Sequence, residues 1–500
     1  MKQIALFFLA ASALWSCQSS EEKSESLKEP YRPAIHFSPE TGWTNDPNGL
    51  VYYAGEYHLF FQHYPDSTVW GPMHWGHAVS TDLVHWEELP IALYPDSLGW
   101  IFSGSAVMDL ENTSGLGSKE NPAMVAIYTY HNSPKEQTGA NDFQYQGLAY
   151  SLDKGRSWEK YTENPVLPNP GIRDFRDPKV SWFEEFQKWI MILAVQDHVE
   201  IYSSTNLTAW QKESEFGKTQ GAHGGVWECP DLMAFDLEGQ KKYVMLVSVN
   251  PGGPNGGSAT QYFVGDFDGH AFDPNSNETR WVDYGKDNYA GVTFSNSPDQ
   301  RKVFIGWLNN WQYANQIPTG QWRGAMTIPR ELTLRKDGEN FELYNYPVSE
   351  FESLQGETSA LQAESIREEK ILTSTLTPPA EIKLRLGFAD ETSPLFEIVL
   401  SNDLGEKVVL HFDGEQLVLD NTQNGWDDPN HQFAVKSTAP FSIENGTLSL
   451  DLVLDRASME VFADAGKRVL TSQYFPTKPY TQLSIKGNVD LEEGEIKTLK

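Results

Sequence analysis

Three short acidic segments sit at the same point of a repeated strand–turn–strand unit. They are Asn45-Asp46-Pro47-Asn48-Gly49, Arg176-Asp177-Pro178 and Glu228-Cys229-Pro230. Carboxylates held close together raise one another's proton affinity, so one can stay protonated while another remains ionised. That pairing suits glycoside cleavage: an acid for the departing oxygen, and a carboxylate to attack or to activate water. Singly, each segment has a plainer reading. Asn, Asp, Pro and Gly are turn formers, Arg176-Asp177 could be a local ion pair, and Glu228 could be an exposed strand start. Recurrence on three repeats is what points to one pocket. Cys229 has no partner base nearby in sequence and reads as a small buried residue.

The elements that must bring these acids together are short strands. Asp46 is followed by Leu50-Val51-Tyr52-Tyr53, a turn at Ala54-Gly55-Glu56, and Tyr57-His58-Leu59-Phe60-Phe61. Asp177 and Glu228 are followed in the same way, and two further units begin near Phe102-Ser103-Gly104 and Tyr289-Ala290-Gly291. Behind three units lies a polar turn closed by tryptophan: 80–86, 151–158 and 204–210. Five units of four strands predict a five-bladed β-propeller over 35–346, with equivalent strand starts meeting at one end of an axis. A β-sandwich fits five in-phase repeats poorly. Residues 347–379 turn polar and Glu-rich and read as a linker. From 380 to 500, strands such as 381–386, 396–400, 448–452 and 459–462 alternate with period two, predicting an antiparallel β-sandwich. The fold class is therefore all-β.

Composition narrows the partners. The net charge of -31 and pI near 4.7 argue against nucleic acid and anionic lipid surfaces and are compatible with an uncharged substrate. Fourteen of the 16 tryptophans lie between Trp43 and Trp322, which marks an aromatic-rich first domain. Indole faces pack against the C–H faces of sugar rings, and Trp43, Trp70, Trp311 and Trp322 are the pocket candidates because each lies in a loop or beside polar residues. His74, His77 and His223 offer no convincing ligand spacing, so the reading is metal-free and without a cofactor. Lys2, the apolar run 4–14 and Cys17 resemble a lipoprotein signal over 1–17, followed by a disordered tether over 18–34. Membrane contact is then expected only through a lipid on Cys17, at a bacterial cell envelope and most readily the outer membrane. The alternative is an ordinary cleaved signal and a secreted protein.

From Ile35 to the C-terminus the chain resembles glycoside hydrolase family 32, the invertases, inulinases and levanases. Trp43-Thr44-Asn45-Asp46-Pro47-Asn48-Gly49 resembles its nucleophile motif, with Thr44 where an apolar residue is common. Arg176-Asp177-Pro178 and Glu228-Cys229-Pro230 resemble its stabiliser and acid/base motifs. The stretches 306–311, 322–326 and 329–332, and Asp455-Arg456-Ala457-Ser458-Met459-Glu460-Val461-Phe462, are also similar. The resemblance implies a propeller plus sandwich and release of terminal fructose from fructans such as levan or inulin. Sucrose hydrolysis and non-catalytic fructan binding are the alternatives. It further implies Asp46 as nucleophile, Glu228 as acid/base and Asp177 as transition-state stabiliser. Asn45, Gln62, Trp70, Phe102, Ser103, Arg176, Tyr289 and Trp311 match pocket-lining positions.

Overall fold

The computed structural model describes residues 29–500 apart from 238, 339 and 389–394. The signal at 1–17, with Cys17, and the tether as far as residue 28 lie outside the described residues. Residues 29–34, the end of the expected tether, are packed down. The Tyr31 hydroxyl donates to the Pro476 carbonyl at 3.1 Å, and the Arg32 guanidinium lies 5.0 Å from the Trp322 ring centroid.

Five antiparallel sheets follow one another along the chain. Blade 1 is Gly42–Tyr53, Glu56–Tyr64, His74–Ser80 and Glu87–Leu93. Blade 2 is Trp100–Asp109, Ala123–His131, Gln144–Ser151 and Glu159–Lys160. Blade 3 is Phe175–Phe183, Lys188–Val195, His198–Ser204 and Gln211–Phe216. Blade 4 is Val226–Leu237, Gln240–Asn250, Ala259–Phe267 and Phe272–Pro274, with Arg280–Trp281 also paired to its third strand. Blade 5 is Tyr289–Thr293, Lys302–Trp307, Arg330–Asp337 and Asn340–Pro347. Each first strand packs against the first strands of both neighbours, and the fifth meets the first, so the ring is closed. Second strands such as Ala123–His131 are buried on both faces, which is why they read as continuous apolar runs rather than alternating ones. The tryptophan-closed turns do connect third and fourth strands. In them Ser80, Ser151 and Ser204 each bond the Asp or Asn two residues on, a side-chain-built turn.

All five first strands carry a bulge near their start, where two residues oppose one on the second strand. The pairs are Asn45–Asp46 opposite Gln62, Phe102–Ser103 opposite Thr129, Asp177–Pro178 opposite Leu193, Cys229–Pro230 opposite Val247, and Ala290–Gly291 opposite Gly306. In blades 3 to 5 the first bulge residue is left-handed, with φ of 64° at Asp177, 44° at Cys229 and 54° at Ala290. Bulges bend the strand and re-aim its side chains, and here they do so at one end of all five strands.

The C-terminal part is two facing sheets. One holds Gln355–Ala360, Glu364–Ile366, Ala380–Gly387, Thr447–Leu454, Ser458–Ala463, Arg468–Gln473 and Val489–Leu499. The other holds Lys370–Thr373, Phe396–Ser401, Lys407–Phe412, Gln416–Gln423, Lys436–Pro440 and Gln482–Gly487. The stretch 347–379 is therefore no free linker, since three of its segments are sandwich strands. Their side chains are mostly exposed, as in Gln355–Ala360, so the apolar alternation that betrays a strand is missing. The direct connection is the 3₁₀ turn Ser349–Leu354, pinned by buried Phe351 and Leu354.

Between the domains lies a buried ionic network. His36 bonds Asp455 through Nδ1 at 2.7 Å and Glu460 through Nε2 at 2.9 Å. Arg330, fully buried, donates to Glu460 at 2.6 Å, Asp283 at 2.9 Å and Thr471 at 2.7 Å. Burial alone would lower the His36 pKa, but the bonds and charges of Asp455 and Glu460 lift it to about 9, so the imidazole carries both protons. Asp455 and Glu460 are the acids of the sandwich motif noted in the sequence. They bind the two domains together.

Candidate active site

The bulged ends meet around the axis and place the three acids in one bonded cluster. Asp46 accepts from Asn45 Nδ2 at 2.9 Å, Ser103 Oγ at 2.6 Å and the Cys229 thiol at 3.4 Å. Asp177 accepts from the Cys229 backbone N–H at 3.1 Å and lies 3.7 Å from the same thiol. Glu228 accepts from Arg176 Nη2 at 2.9 Å and Nε at 3.2 Å through one oxygen, and from the Tyr289 hydroxyl through the other. Arg176 Nε is also 4.0 Å from Asp177. Thus Cys229 joins Asp46 to Asp177, and Arg176 joins Asp177 to Glu228.

The acids do not share one phase of the repeat, as the sequence pattern suggested. Asp46 is the second bulge residue of its strand, Asp177 is the first, and Glu228 stands one position before its bulge. The bulges absorb these offsets. Asp46 and Glu228 are half-buried, whereas Asp177 is buried.

Burial and the Glu228 charge push the Asp46 pKa up, against the bonds from Ser103, Asn45 and Cys229. For Asp177 burial is again the largest influence. Arg176 opposes it, Glu228 and Asp46 reinforce it, and the result is about 7. Burial and the three carboxylates hold the Cys229 thiol far above its ordinary value, so it is a proton donor here and not a thiolate.

Around this centre the other expected residues take distinct places. Asn45, held by the Trp43 indole N–H at 2.7 Å, orients Asp46. Gln62 faces the first bulge from behind and donates to Asn48 at 2.7 Å and the Ile101 carbonyl at 3.0 Å. Phe102 stacks on His131 at 4.3 Å. Trp311 stacks over buried Trp43 at 5.9 Å, and Trp70, 38 % exposed, lies edge-on to Phe102 at 6.0 Å. Trp43 and Trp322 are buried and so do not present a face to the pocket.

Several contributors were missed. Cys229 is buried as expected, but its thiol touches both aspartates. Asp174 accepts from Arg176 at 2.6 Å, and Thr129 Oγ1 accepts the Asp177 N–H at 2.9 Å. Asp174 was findable: two residues from Arg176 on an extended chain puts opposite charges on one face. Thr129 had no signal, because its role comes from pairing with another blade.

Clustered carboxylates, bonded donors and flanking aromatic rings on a propeller with an appended sandwich make this a glycosidase. The chain belongs to glycosyl hydrolase family 32: its residues 36–347 match the family's N-terminal domain and 350–499 its C-terminal domain. A levanase of Bacillus subtilis (strain 168) is 45% identical over 512 residues, spanning 99% of this chain and 74% of the relative. An extracellular exo-inulinase of Aspergillus awamori is 40% identical over 485 residues, 90% of each chain. The crystal structure of exo-inulinase from Aspergillus awamori superposes with a TM-score of 0.85 at 36% identity, covering 94% of this chain and 98% of that one. A β-fructofuranosidase from Schwanniomyces occidentalis complexed with fructosyl-erythritol gives 0.84 at 33% identity, covering 94% and 97%.

Proposed function

We propose that the protein is a retaining β-fructosidase that removes terminal fructose from fructans, with levan the first substrate to test. The bonded cluster of Asp46, Asp177 and Glu228 carries this reading, and the levanase and exo-inulinase relatives support the choice of sugar. Asp46, surrounded by neutral donors, attacks the anomeric carbon. Glu228 protonates the departing oxygen, then takes a proton from the water that frees the fructose. Asp177 accepts sugar hydroxyls and balances the positive charge that develops on the ring. Those hydroxyls replace part of the hydration that burial removed from Asp177, which favours its ionised form as substrate binds. Arg176 and Tyr289 hold Glu228 in place. Asn45 and Ser103 orient Asp46, Gln62 backs it, and Phe102, Trp70 and Trp311 form the apolar walls.

Chromatography of the products from levan, inulin and sucrose tests the reading, with Asp46→Asn and Glu228→Gln as controls. Wild type releases fructose and both variants lose at least about a hundredfold in kcat. Transfer of fructose to methanol with retained configuration reports the covalent intermediate. Wild type as inert as the variants, yet still binding levan, would leave a binding protein instead. We further propose that export and a lipid on Cys17 place the enzyme at the cell envelope. Fatty-acid labelling that persists in Cys17→Ser would overturn this.

A further inference from the structure

The long segment 308–329 of blade 5 crosses the seam between the last blade and the first. The Trp311 backbone N–H donates to Ser258 Oγ at 3.1 Å, and its ring stacks over Trp43. Tyr313 is buried against Phe433 of the sandwich, ring centroids 4.9 Å apart. Trp322–Arg323 pairs in parallel with Gly42 and Trp43 of blade 1. Between these anchors stands Asn315, exposed to solvent. Its side-chain Oδ1 accepts the backbone N–H of Trp70 at 2.9 Å, a bond between residues 245 apart in the chain. Its own carbonyl accepts from Arg323 Nη1, which braces it from the other side.

Trp70 is an exposed indole, edge-on to Trp100 at 5.7 Å and to Phe102 at 6.0 Å, and Phe102 precedes the Ser103 that bonds Asp46. The remaining seams of the rim are tied as well. Glu136 pairs with Arg173 at 2.9 Å between blades 2 and 3, Asp197 with His223 at 3.1 Å between blades 3 and 4, and Ser258 holds Trp311 between blades 4 and 5. The Asn315–Trp70 bond ties the seam that closes the ring.

We propose that Asn315 is a positioning residue. It holds the Trp70 loop across the blade 5–blade 1 seam and thereby fixes one of the apolar walls against which the sugar packs. This rests on the β-fructosidase reading. Only an acceptor oxygen is required of the side chain, which separates this role from general packing.

Asn315→Leu keeps the shape and removes the acceptor, whereas Asn315→Asp keeps an acceptor. With the trisaccharide 1-kestose, Asn315→Leu raises KM about fivefold with kcat within about twofold, the size expected for one hydrogen bond acting on substrate binding. Asn315→Asp restores the wild-type KM. In a Trp70→Ala background, Asn315→Leu has no further effect, because the two act through one wall. A neutral Asn315→Leu, an Asp variant as impaired as Leu, or an effect that persists without Trp70 would each overturn the proposal. Fluorotryptophan NMR reads the same contact without substrate. The Trp70 resonance, assigned by its loss in Trp70→Phe, moves toward that of free indole in Asn315→Leu and returns in Asn315→Asp; an unmoved resonance counts against the role. If wild type left 1-kestose untouched, the fructosidase reading would fall, and the NMR comparison would still decide whether Asn315 positions Trp70.

Discussion

Asp177 is kept in an environment that favours its neutral form. Its pKa stands near 7 against an ordinary 3.8, with burial the main cause. An acid raised on folding binds its proton more tightly in the folded state. Its influence on stability is therefore most favourable at low pH and is lost as pH rises through about 7. Asp177→Asn removes the buried charge: at pH 8 the variant is expected to be more stable than wild type by about 1–3 kcal/mol while losing activity. Paired thermal melts at pH 5 and pH 8 check the sign, since the gain should shrink at pH 5. The same proton governs the rate. The proton held on Asp177 sits inside the acid cluster, so kcat/KM should fall about tenfold per pH unit above pH 7, where that proton leaves. A flat profile from pH 6 to 9 would contradict this. The acids themselves were legible in the sequence because their motifs recur at strand starts. The thiol bridge of Cys229 was not, because it depends on how far a left-handed residue turns one blade toward another.

At the scale of elements, the five bulges do the positioning. Ser103 reaches Asp46 because its strand bulges against Thr129 just before Gly104. A Cβ on Gly104 would sit 2.2 Å from the Ile127 carbonyl oxygen and 2.5 Å from Tyr128 Cα, both backbone atoms that cannot rotate away. Gly104→Ala is therefore expected to cost about 2–3 kcal/mol in urea unfolding and to lower kcat by displacing Ser103. Unchanged kcat would mean that the bulge tolerates the shift. The blades were readable because their second strands are doubly buried and their turns are spelled in Gly, Asn and Asp. The bulges were not, since a two-against-one register is a property of two strands and neither strand alone encodes it. The strands between 355 and 373 were hidden for another reason: Gln355–Ala360 carries polar residues on both sides of the pleat, and Lys370–Thr373 is four residues with adjacent Ile371 and Leu372, so neither alternates.

At the scale of the molecule, the sandwich and the propeller share a charged core. His36 is doubly protonated between Asp455 and Glu460, with a pKa near 9. A base raised on folding stabilises fully below its ordinary 6.5, and that contribution disappears as pH rises through about 9. His36→Ala leaves two buried acids with one cation fewer and should cost about 3–5 kcal/mol at pH 6. The deficit should narrow by pH 10, where wild type has lost the same charge. Thermal melts of both proteins across that range would show it, and a constant gap would place the effect in packing instead. The two-domain division was visible in the tryptophan distribution. The joint was not, because its partners, His36, Asp283, Arg330, Asp455 and Glu460, are scattered along the chain.

The circular closure of the blades has one more consequence. Asp46 arrives with the first blade, Glu228 with the fourth and Tyr289 with the fifth, and each depends on neighbours contributed by another blade. No fragment shorter than the whole circle assembles the chemistry. A chain still leaving the ribosome, or clipped before its last turn, is inert toward the sugars around it, and hydrolysis begins only when the end of the propeller finds its beginning.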